Sequence, residues 1–211
     1  MSRKVIVSDL GNVLVNFDMG IATYKVAAHT KLDENEIFQV LFNSDLPRRH
    51  EEGKLTGMEF YAAVKQRLSL KIDFELFKEI WNNIFWENIK VCRLIRELGK
   101  DYRLVLLSNI GELHFDYIKT HFDILGEFDE NVLSFKVGAR KPDINMFKAA
   151  VDKAETEPHN IIYVDDRADF IEAAGRCGVN AVRYTDVIKL KNDLSRFGIR
   201  SNALMPSYIG I

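Results

Sequence analysis

Residues 5–12 read Val-Ile-Val-Ser-Asp-Leu-Gly-Asn, and this stretch decides how the fold begins. Residues 5–7 form a short β-branched run, which is typical of a strand that is buried on both faces. The dipeptide Gly11-Asn12 is a turn signal. We therefore predict a buried strand that delivers Asp9 at its carboxyl end.

The next part of the chain, roughly residues 18–85, has almost no strand character. Asp33 with Glu36, and Thr56 with Glu59, have the spacing of helix capping boxes. Apolar residues also recur at helical spacing through this part. These patterns predict an all-helical insertion of about four helices.

From residue 89 onward, helix and strand patterns alternate. We predict strands at 104–107, around 132–133, at 161–164 and at 181–184, and helices at 89–99, 112–121, 145–153, 170–177 and 187–197. Such alternation predicts an α/β fold, a Rossmann-like parallel sheet covered by helices on both faces. We expect a catalytic core formed by residues 1–16 and 86–211, and an inserted helical cap domain formed by residues 17–85.

The composition argues against several classes of function. Lys and Arg total 29 against 31 for Asp and Glu, and the net charge of -2 gives no electrostatic footprint for nucleic acid or an anionic membrane. No apolar run is long enough to span a bilayer, and the N-terminal residues become charged too soon for a signal peptide. Cys92 and Cys177 are far apart and fit buried packing thiols. We expect a cytoplasmic protein.

Polar residues follow several predicted strands directly, and one more lies in a loop before a helix. They are Asp9, Ser108, Asn109, Asp165, Asp166 and the loop residue Lys141. Each alone is commonly a helix cap or a turn residue. Ligands of open α/β sheets bind beyond the carboxyl ends of the strands, so the joint occurrence points to one functional edge.

With these motifs, the chain resembles the haloacid dehalogenase-like (HAD) superfamily over essentially its whole length. The matching segments are residues 7–14, 106–109, 140–143 and 164–169, with a cap between the first and second. That cap position is typical of the family's first cap class (C1). The sequences of residues 9–13 and 52–56 are similar to the corresponding motifs of glucose-1-phosphatase-type sugar phosphatases. The resemblance implies the HAD fold and a phosphatase activity.

The resemblance also implies a role for each acidic residue. Asp9 is the expected nucleophile, which forms an aspartyl-phosphate that water later hydrolyses. Because Asp9 and the phosphate repel each other, a cation is required, and Mg²⁺ is expected. Its implied ligands are the carboxylates of Asp9 and Asp166 and the main-chain carbonyl of Gly11, while Asp165 holds the metal's waters.

Other residues are expected to bind the phosphate. Ser108 would donate to a phosphoryl oxygen, and Lys141 would neutralise charge in the transition state. Gly11, Asn12 and Asn109 complete the expected phosphate-binding set. Asp169 fits two interpretations equally well: a supporting residue of the site, or a solvated acid in the first turn of a helix.

One position departs from the family pattern. Most phosphatases of the superfamily have a second Asp two residues after the nucleophile as general acid and base, a contribution of roughly 10² to 10⁴ in rate. Here that position is Gly11. Three explanations are open. The substrate could have a good leaving group, such as an anomeric sugar phosphate, or a cap residue could supply the proton, with His50, Glu51, Glu52 and Asp18 as candidates. Alternatively, the protein could be a weak enzyme or a silent phospho-ligand-binding protein.

The cap is expected to select the substrate. Residues 47–52 contain two arginines that could contact a second phosphate or sugar hydroxyls, although a solvated loop between helices explains them as well. We expect the aromatic residues Phe17, Phe42, Phe85 and Trp86 to pack in the core or at the cap hinge rather than to form a substrate pocket.

The expected partner is therefore a small phosphorylated metabolite, possibly a sugar phosphate, bound by a monomer or a homodimer. A 2-haloacid dehalogenase is a weaker alternative, because such enzymes need no metal and the Asp165-Asp166 pair argues for one. The apolar residues of the tail, 200–211, could pack on the core or on another subunit.

Overall fold

The structure, a computed structural model, describes residues 4–200, so the packing of the tail beyond residue 200 lies outside the described residues. The strands are β1 (Val5–Ser8), β2 (Val15–Phe17), β3 (Phe85–Glu87), β4 (Arg103–Ser108), β5 (Glu130–Leu133), β6 (Ile161–Asp165) and β7 (Asn180–Arg183). The α-helices are α1 (Met19–Ala27), α2 (Glu34–Phe38), α3 (Asp45–Glu51), α4 (Gly57–Leu68), α5 (Phe74–Asn82), α6 (Ile89–Gly99), α7 (Glu112–His121), α8 (Ser134–Val137), α9 (Ile144–Ala154), α10 (Ala168–Arg176) and α11 (Val187–Arg196). A π-helical turn, Gln39–Asn43, continues α2, and 3-10 turns occupy Asp123–Glu127 and Pro158–Asn160.

Five strands form one parallel sheet in the order β5-β4-β1-β6-β7. The first strand of the chain is therefore the central one, and Val5 pairs with Arg103 on one side and Ile161 on the other. This confirms the predicted α/β fold with a Rossmann-like parallel sheet and an inserted helical region.

The sheet is buried on both faces because its strands are almost continuously apolar. Successive side chains of a strand point to opposite faces. Ile6 and Leu106 accordingly belong to one apolar cluster, and Val7 and Leu107 to the other. Because the faces of its central strands β1, β4 and β6 are buried, polar residues of these strands can reach a ligand at the strand ends.

The helical insertion, α1–α5, contains five α-helices rather than about four. Both predicted capping boxes are present: Asp33 and Glu36 begin α2, and Thr56 and Glu59 begin α4. The insertion has an apolar cluster of its own, which includes Phe60. It can therefore hold its shape largely by internal packing.

The pattern analysis missed the two-stranded antiparallel ribbon of β2 and β3. Val15 pairs with Glu87 and Phe17 with Phe85. Each strand has three residues, too few for a period of two to be recognised. The chain leaves the sheet for the insertion through β2 and returns through β3, so the ribbon holds both connections together.

Most predicted boundaries in the second half of the chain are close to the observed ones. Helices α6 and α7 begin and end where they are predicted, and Gly198 follows α11 with a φ of 74°, as expected for a C-terminal cap. Between residues 4 and 200, the structure has no helix of the length and apolarity that crossing a membrane would require.

Candidate active site

Asp9 directly follows β1, between the ends of the two neighbouring strands. Its backbone N–H donates to the Val164 carbonyl (2.9 Å), and the Ser8 hydroxyl donates to the Asp9 carbonyl (2.8 Å). The residue is 7% exposed. Its carboxylate is thus fixed at the predicted edge of the sheet with limited access to water.

Lys141 reaches this edge from the loop between α8 and α9. Its Nζ lies 2.8 Å from Asp9 Oδ1 and 2.7 Å from Asp165 Oδ2, and it donates to the Leu107 carbonyl at 3.0 Å. The side chain is 1% exposed. A buried ammonium is tolerated only with such partners, so its position is closely determined.

Asn109 fixes the loop that carries Lys141. Its Nδ2 donates to the Lys141 carbonyl (3.0 Å), and its Oδ1 accepts from the Lys141 N–H (2.7 Å). Both ends of the amide therefore bind the Lys141 backbone. A direct contact between Asn109 and a phosphate stays a prediction.

Asp9, Asp165 and Asp166 form an acidic cluster in which one carboxylate oxygen of each lies within 4.8 Å of the others. Asp165 is fully buried, and its Oδ1 accepts from the Arg167 N–H at 2.9 Å. Asp166 is more exposed than its two neighbours. Carboxylate oxygens are the donors that Mg²⁺ prefers, so the set fits that ion.

The charges of the cluster shift the pKa of its members. Burial raises the pKa of Asp9 to about 7; Lys141 opposes this shift and the negative charge of Asp165 adds to it. Burial and the same neighbour also raise the pKa of Asp166. Three crowded carboxylates with one ammonium favour a further cation between them.

Tyr163 is a member of this site that the sequence analysis missed. Its hydroxyl donates to Asp165 Oδ2 and accepts a hydrogen bond from Lys141 Nζ (3.1 Å). It lies two residues before Asp165 in β6, and residues two apart share a face of a strand. The alternation rule could have placed it beside Asp165.

The remaining predicted phosphate ligands differ in their surroundings. Ser108 is 2% exposed and, like Gly11, lines a cavity beside the site. Asn12 is exposed and has a left-handed backbone with a φ of 55°, and its N–H donates to the Val15 carbonyl. Its side chain is not among the residues that line this cavity.

The cavity lies between the helical insertion and the strand-end edge, with a volume of about 530 Å³. Besides Gly11, Ser108 and Asn109, it is lined by aromatic residues that include Phe17, Phe42 and Phe85. The sequence predicts packing in the core or at the cap hinge for these three residues, and in the structure they also border the cavity. Trp86 does not line the cavity and is 48% exposed.

Comparison with known proteins agrees with this geometry. The family model described as haloacid dehalogenase-like hydrolase matches residues 4–184. The chain belongs to this family.

Two curated relatives and one solved structure illustrate the range of this hydrolase family. D-ribitol-5-phosphate phosphatase of Bacteroides thetaiotaomicron is 27% identical over 191 residues, covering 83% of this chain and 88% of that protein. Drimenol cyclase drtB of Aspergillus calidoustus is 26% identical over 86% of this chain, which spans about a third (34%) of the cyclase. A HAD family enzyme of B. thetaiotaomicron, solved with magnesium and inorganic phosphate, is 23% identical with a TM-score of 0.75 and covers 87% of this chain and 94% of its own.

This hydrolase has no carboxyl at residue 11, and three of the four predicted substitutes are engaged elsewhere. His50 is buried in the insertion and stacks on an aromatic ring there. Asp18 caps the first turn of α1, and Glu52 pairs with Arg48 at 3.1 Å. None of these three lines the cavity.

Glu51 is the fourth candidate, and it lines the cavity. Its Oε2 lies 2.6 Å from Arg140 Nε, an ion pair between α3 of the insertion and the loop that carries Lys141. Burial raises the pKa of Glu51, and the charge of Arg140 opposes that shift. The pair links the insertion directly to the catalytic edge.

Asp169 lies in the first turn of α10 and pairs with Arg167 at 2.7 Å. Both side chains are at least half exposed. This geometry fits the solvated first-turn acid that was one of its two interpretations.

Proposed function

We propose that this protein is a Mg²⁺-dependent phosphohydrolase that cleaves a phosphate monoester through an aspartyl-phosphate on Asp9. The observation that carries the proposal is the buried contact of Lys141 with Asp9 and Asp165, beside Asp166 and close to Gly11 and Ser108, which line a cavity. Phosphoryl transfer depends mainly on such positioned charge.

The chain's own residues supply most of the chemistry. An Asp9 oxygen attacks phosphorus, the bond from phosphorus to the ester oxygen breaks, and the leaving oxygen takes a proton from water, since Gly11 has no carboxyl to supply one. Water then attacks the phosphorus of the aspartyl-phosphate, which releases phosphate and restores Asp9. Lys141 favours the ionised form of Asp9, and the Ser108 hydroxyl donates to a phosphoryl oxygen.

A bound Mg²⁺ would offset the repulsion between the carboxylate and the phosphate. Asp9, Asp166 and the Gly11 carbonyl would hold it, and Asp165 would hold its waters. The magnesium and phosphate bound by the related HAD family enzyme support this assignment.

The finer assignment is a small phosphorylated metabolite as substrate, within the C1 sugar-phosphatase group. The motif at residues 9–13 and the relative named D-ribitol-5-phosphate phosphatase support it. We also propose that residues 17–85 act as a cap domain on a core of residues 1–16 and 86–211, because the β2–β3 ribbon joins the two parts.

The substitution Asp9→Asn tests the mechanism. It removes the nucleophilic oxygen and one carboxylate charge, so hydrolysis of acetyl phosphate with Mg²⁺ should fall by about 10³-fold or more. Asp116→Asn, an exposed acid on α7, is the matched control and should keep full activity. Full activity in a folded Asp9→Asn protein would rule out this nucleophile.

Two alternatives have distinct outcomes. A silent phospho-ligand-binding protein would bind phosphate esters yet hydrolyse none of a broad panel with Mg²⁺. A 2-haloacid dehalogenase would release chloride from 2-chloropropionate without any metal. The acidic cluster argues against the dehalogenase, because three adjacent carboxylates favour a bound cation.

A further inference from the structure

Five rings form a continuous surface along the cavity, which we call the aromatic wall: Phe42, Trp81, His114, Phe85 and Phe17. Trp81 stacks between Phe42 (5.4 Å between centroids) and His114 (4.6 Å). Phe85 contacts His114 edge-on at 4.9 Å and Phe17 at 6.0 Å. Each ring therefore contacts the next one along the cavity.

The aromatic wall is assembled from three separate parts of the fold. Phe42 and Trp81 come from the insertion, Phe17 and Phe85 from the β2–β3 ribbon, and His114 from α7 of the core. Phe17, Phe42 and Phe85 are only half-buried, so part of each ring remains open to the cavity. Rings that served packing alone would be expected to close this space.

His114 behaves as an uncharged member of the aromatic wall. Its Nε2 lies 3.1 Å from the Trp81 carbonyl, which can only accept, so this nitrogen donates. Burial lowers the pKa of His114 to about 3. The ring is neutral near pH 7, and its donor is already used within the protein.

The charged residues along the cavity already have partners. Among the described residues that line it, the charged ones are Asp45, Arg48, Glu51 and Arg140. Asp45 pairs with Arg67 at 2.8 Å, Arg140 with Glu51 at 2.6 Å, and Arg48 Nη1 with Glu52 at 3.1 Å. The expected role of Arg48 in binding a second phosphate or sugar hydroxyls stays a prediction.

The aromatic wall also reaches the position of the missing general acid. A Cβ atom on Gly11 would lie 3.1 Å from Phe17 Cε1, a tight contact. The ring of Phe17 thus occupies the space into which a side chain at residue 11 would extend. The surroundings of the leaving group are apolar on this side.

From these contacts we propose that the organic part of the substrate is apolar, an aromatic or hydrocarbon group that binds against the aromatic wall while the phosphate lies at Asp9. The inference rests on the proposed phosphohydrolase function, and it names an apolar substrate class in place of the sugar phosphate that the motif at residues 9–13 suggests. A volume of about 530 Å³ suits such a group. Against the rings of the aromatic wall a polyol would lose hydrogen bonds to water that these rings cannot replace, which is unfavourable.

The experiment compares 3-phenylpropyl phosphate with D-ribitol 5-phosphate, in the presence of Mg²⁺. Both are esters of primary alcohols, so they differ mainly in the polarity of the organic group. We expect kcat/KM to be about tenfold or more higher for the phenylpropyl ester. Equal values, or a preference for ribitol 5-phosphate, would overturn the inference. Acetyl phosphate, an acyl phosphate, tests the phosphate site alone. If it is hydrolysed, the proposed phosphohydrolase function stands even when the inference about the organic group fails. If none of the three substrates is hydrolysed, both are overturned.

Paired variants of β3 locate the binding surface. Phe85 lines the cavity and its neighbour Trp86 does not, so Phe85→Asn should reduce the ratio of the two kcat/KM values about tenfold and Trp86→Asn should preserve it. Phe42→Asn, on a different element, replaces Phe85→Asn if that variant does not fold. An unchanged ratio in the folded cavity variant would overturn the proposal.

Discussion

At the scale of single residues, the ammonium of Lys141 offsets part of the negative charge of the candidate site. It contacts two buried carboxylates, those of Asp9 and Asp165, and its own side chain is almost fully buried. Removing one member of such a group leaves uncompensated charge in the interior, which costs far more than the loss of a surface ion pair. Lys141 should therefore matter for folding as well as for turnover.

The substitution Lys141→Met should reduce the free energy of unfolding by about 3–5 kcal/mol at pH 7 in the absence of divalent cations. It should also suppress phosphatase activity, because nothing else described here neutralises Asp9 directly. Urea denaturation followed by circular dichroism measures the first effect. Lys153→Met removes an exposed ion pair with Glu130 and should cost about 1 kcal/mol or less. Equal costs for the two variants would refute the assigned role.

At the scale of secondary structure elements, α3 and the loop before α9 are joined by Glu51 and Arg140. Both side chains are about one-third exposed or less, so water screens the pair less than it screens a surface pair. The contact joins the helical insertion to the loop in which Lys141 follows Arg140. Its coupling energy therefore measures how strongly this contact holds the insertion to the core.

A double-mutant cycle with Glu51→Gln and Arg140→Gln should give a coupling of about 1–2 kcal/mol in the free energy of unfolding. The same cycle on Glu75 and Lys78, an exposed pair within α5, should give about 0.5 kcal/mol or less. A coupling for Glu51 and Arg140 no larger than this control would contradict a stabilising link.

The elements also show what a single sequence can and cannot reveal. The strand that delivers Asp9 and the helices α6 and α7 follow from local composition and period. The β2–β3 ribbon does not, because three-residue strands carry too little pattern. The aromatic wall was missed for a different reason: its rings lie on five elements, and their convergence is a property of the tertiary structure.

Within the candidate site, the strand-end rule predicted the convergence of Asp9, Lys141 and the two adjacent aspartates. It did not predict that Asn109 binds the Lys141 backbone or that Tyr163 binds Asp165. Local patterns identify which residues lie at an edge. They do not identify the hydrogen-bond partner of each side chain, because that depends on rotamers and on neighbouring strands.

At the scale of the whole molecule, acid should loosen the contact between the insertion and the core at His114. The pKa of this residue is lowered to about 3, from about 6.5 in the unfolded chain, mainly by burial. Below about pH 6.5 the unfolded state therefore binds the proton before the folded state does. The contribution of His114 to the free energy of unfolding is therefore complete above about pH 6.5, and it decreases as the pH falls towards 3.

We expect the free energy of unfolding to fall by about 1–2 kcal/mol between pH 7 and pH 5 from this group, since the residue keeps some contact with solvent. His114→Gln should remove that part of the pH dependence. His121→Gln, an exposed histidine on the same helix, should leave it in place. Urea titrations at several pH values measure all three proteins, and identical pH profiles would refute the assignment.

The central position of β1 has a consequence for how the chain folds during its synthesis. β1 is the first strand to be made, yet its partners begin at Arg103 and Ile161. At about 5–20 residues per second, a ribosome needs roughly 8–30 s to reach the second partner after β1 is complete. Both edges of this apolar strand lack a partner until β4 is made, and one edge still lacks a partner until β6 is made. The helical insertion, made before β4, can fold first. The newly made chain is thus exposed to aggregation at the strand that directly precedes Asp9, the proposed nucleophile.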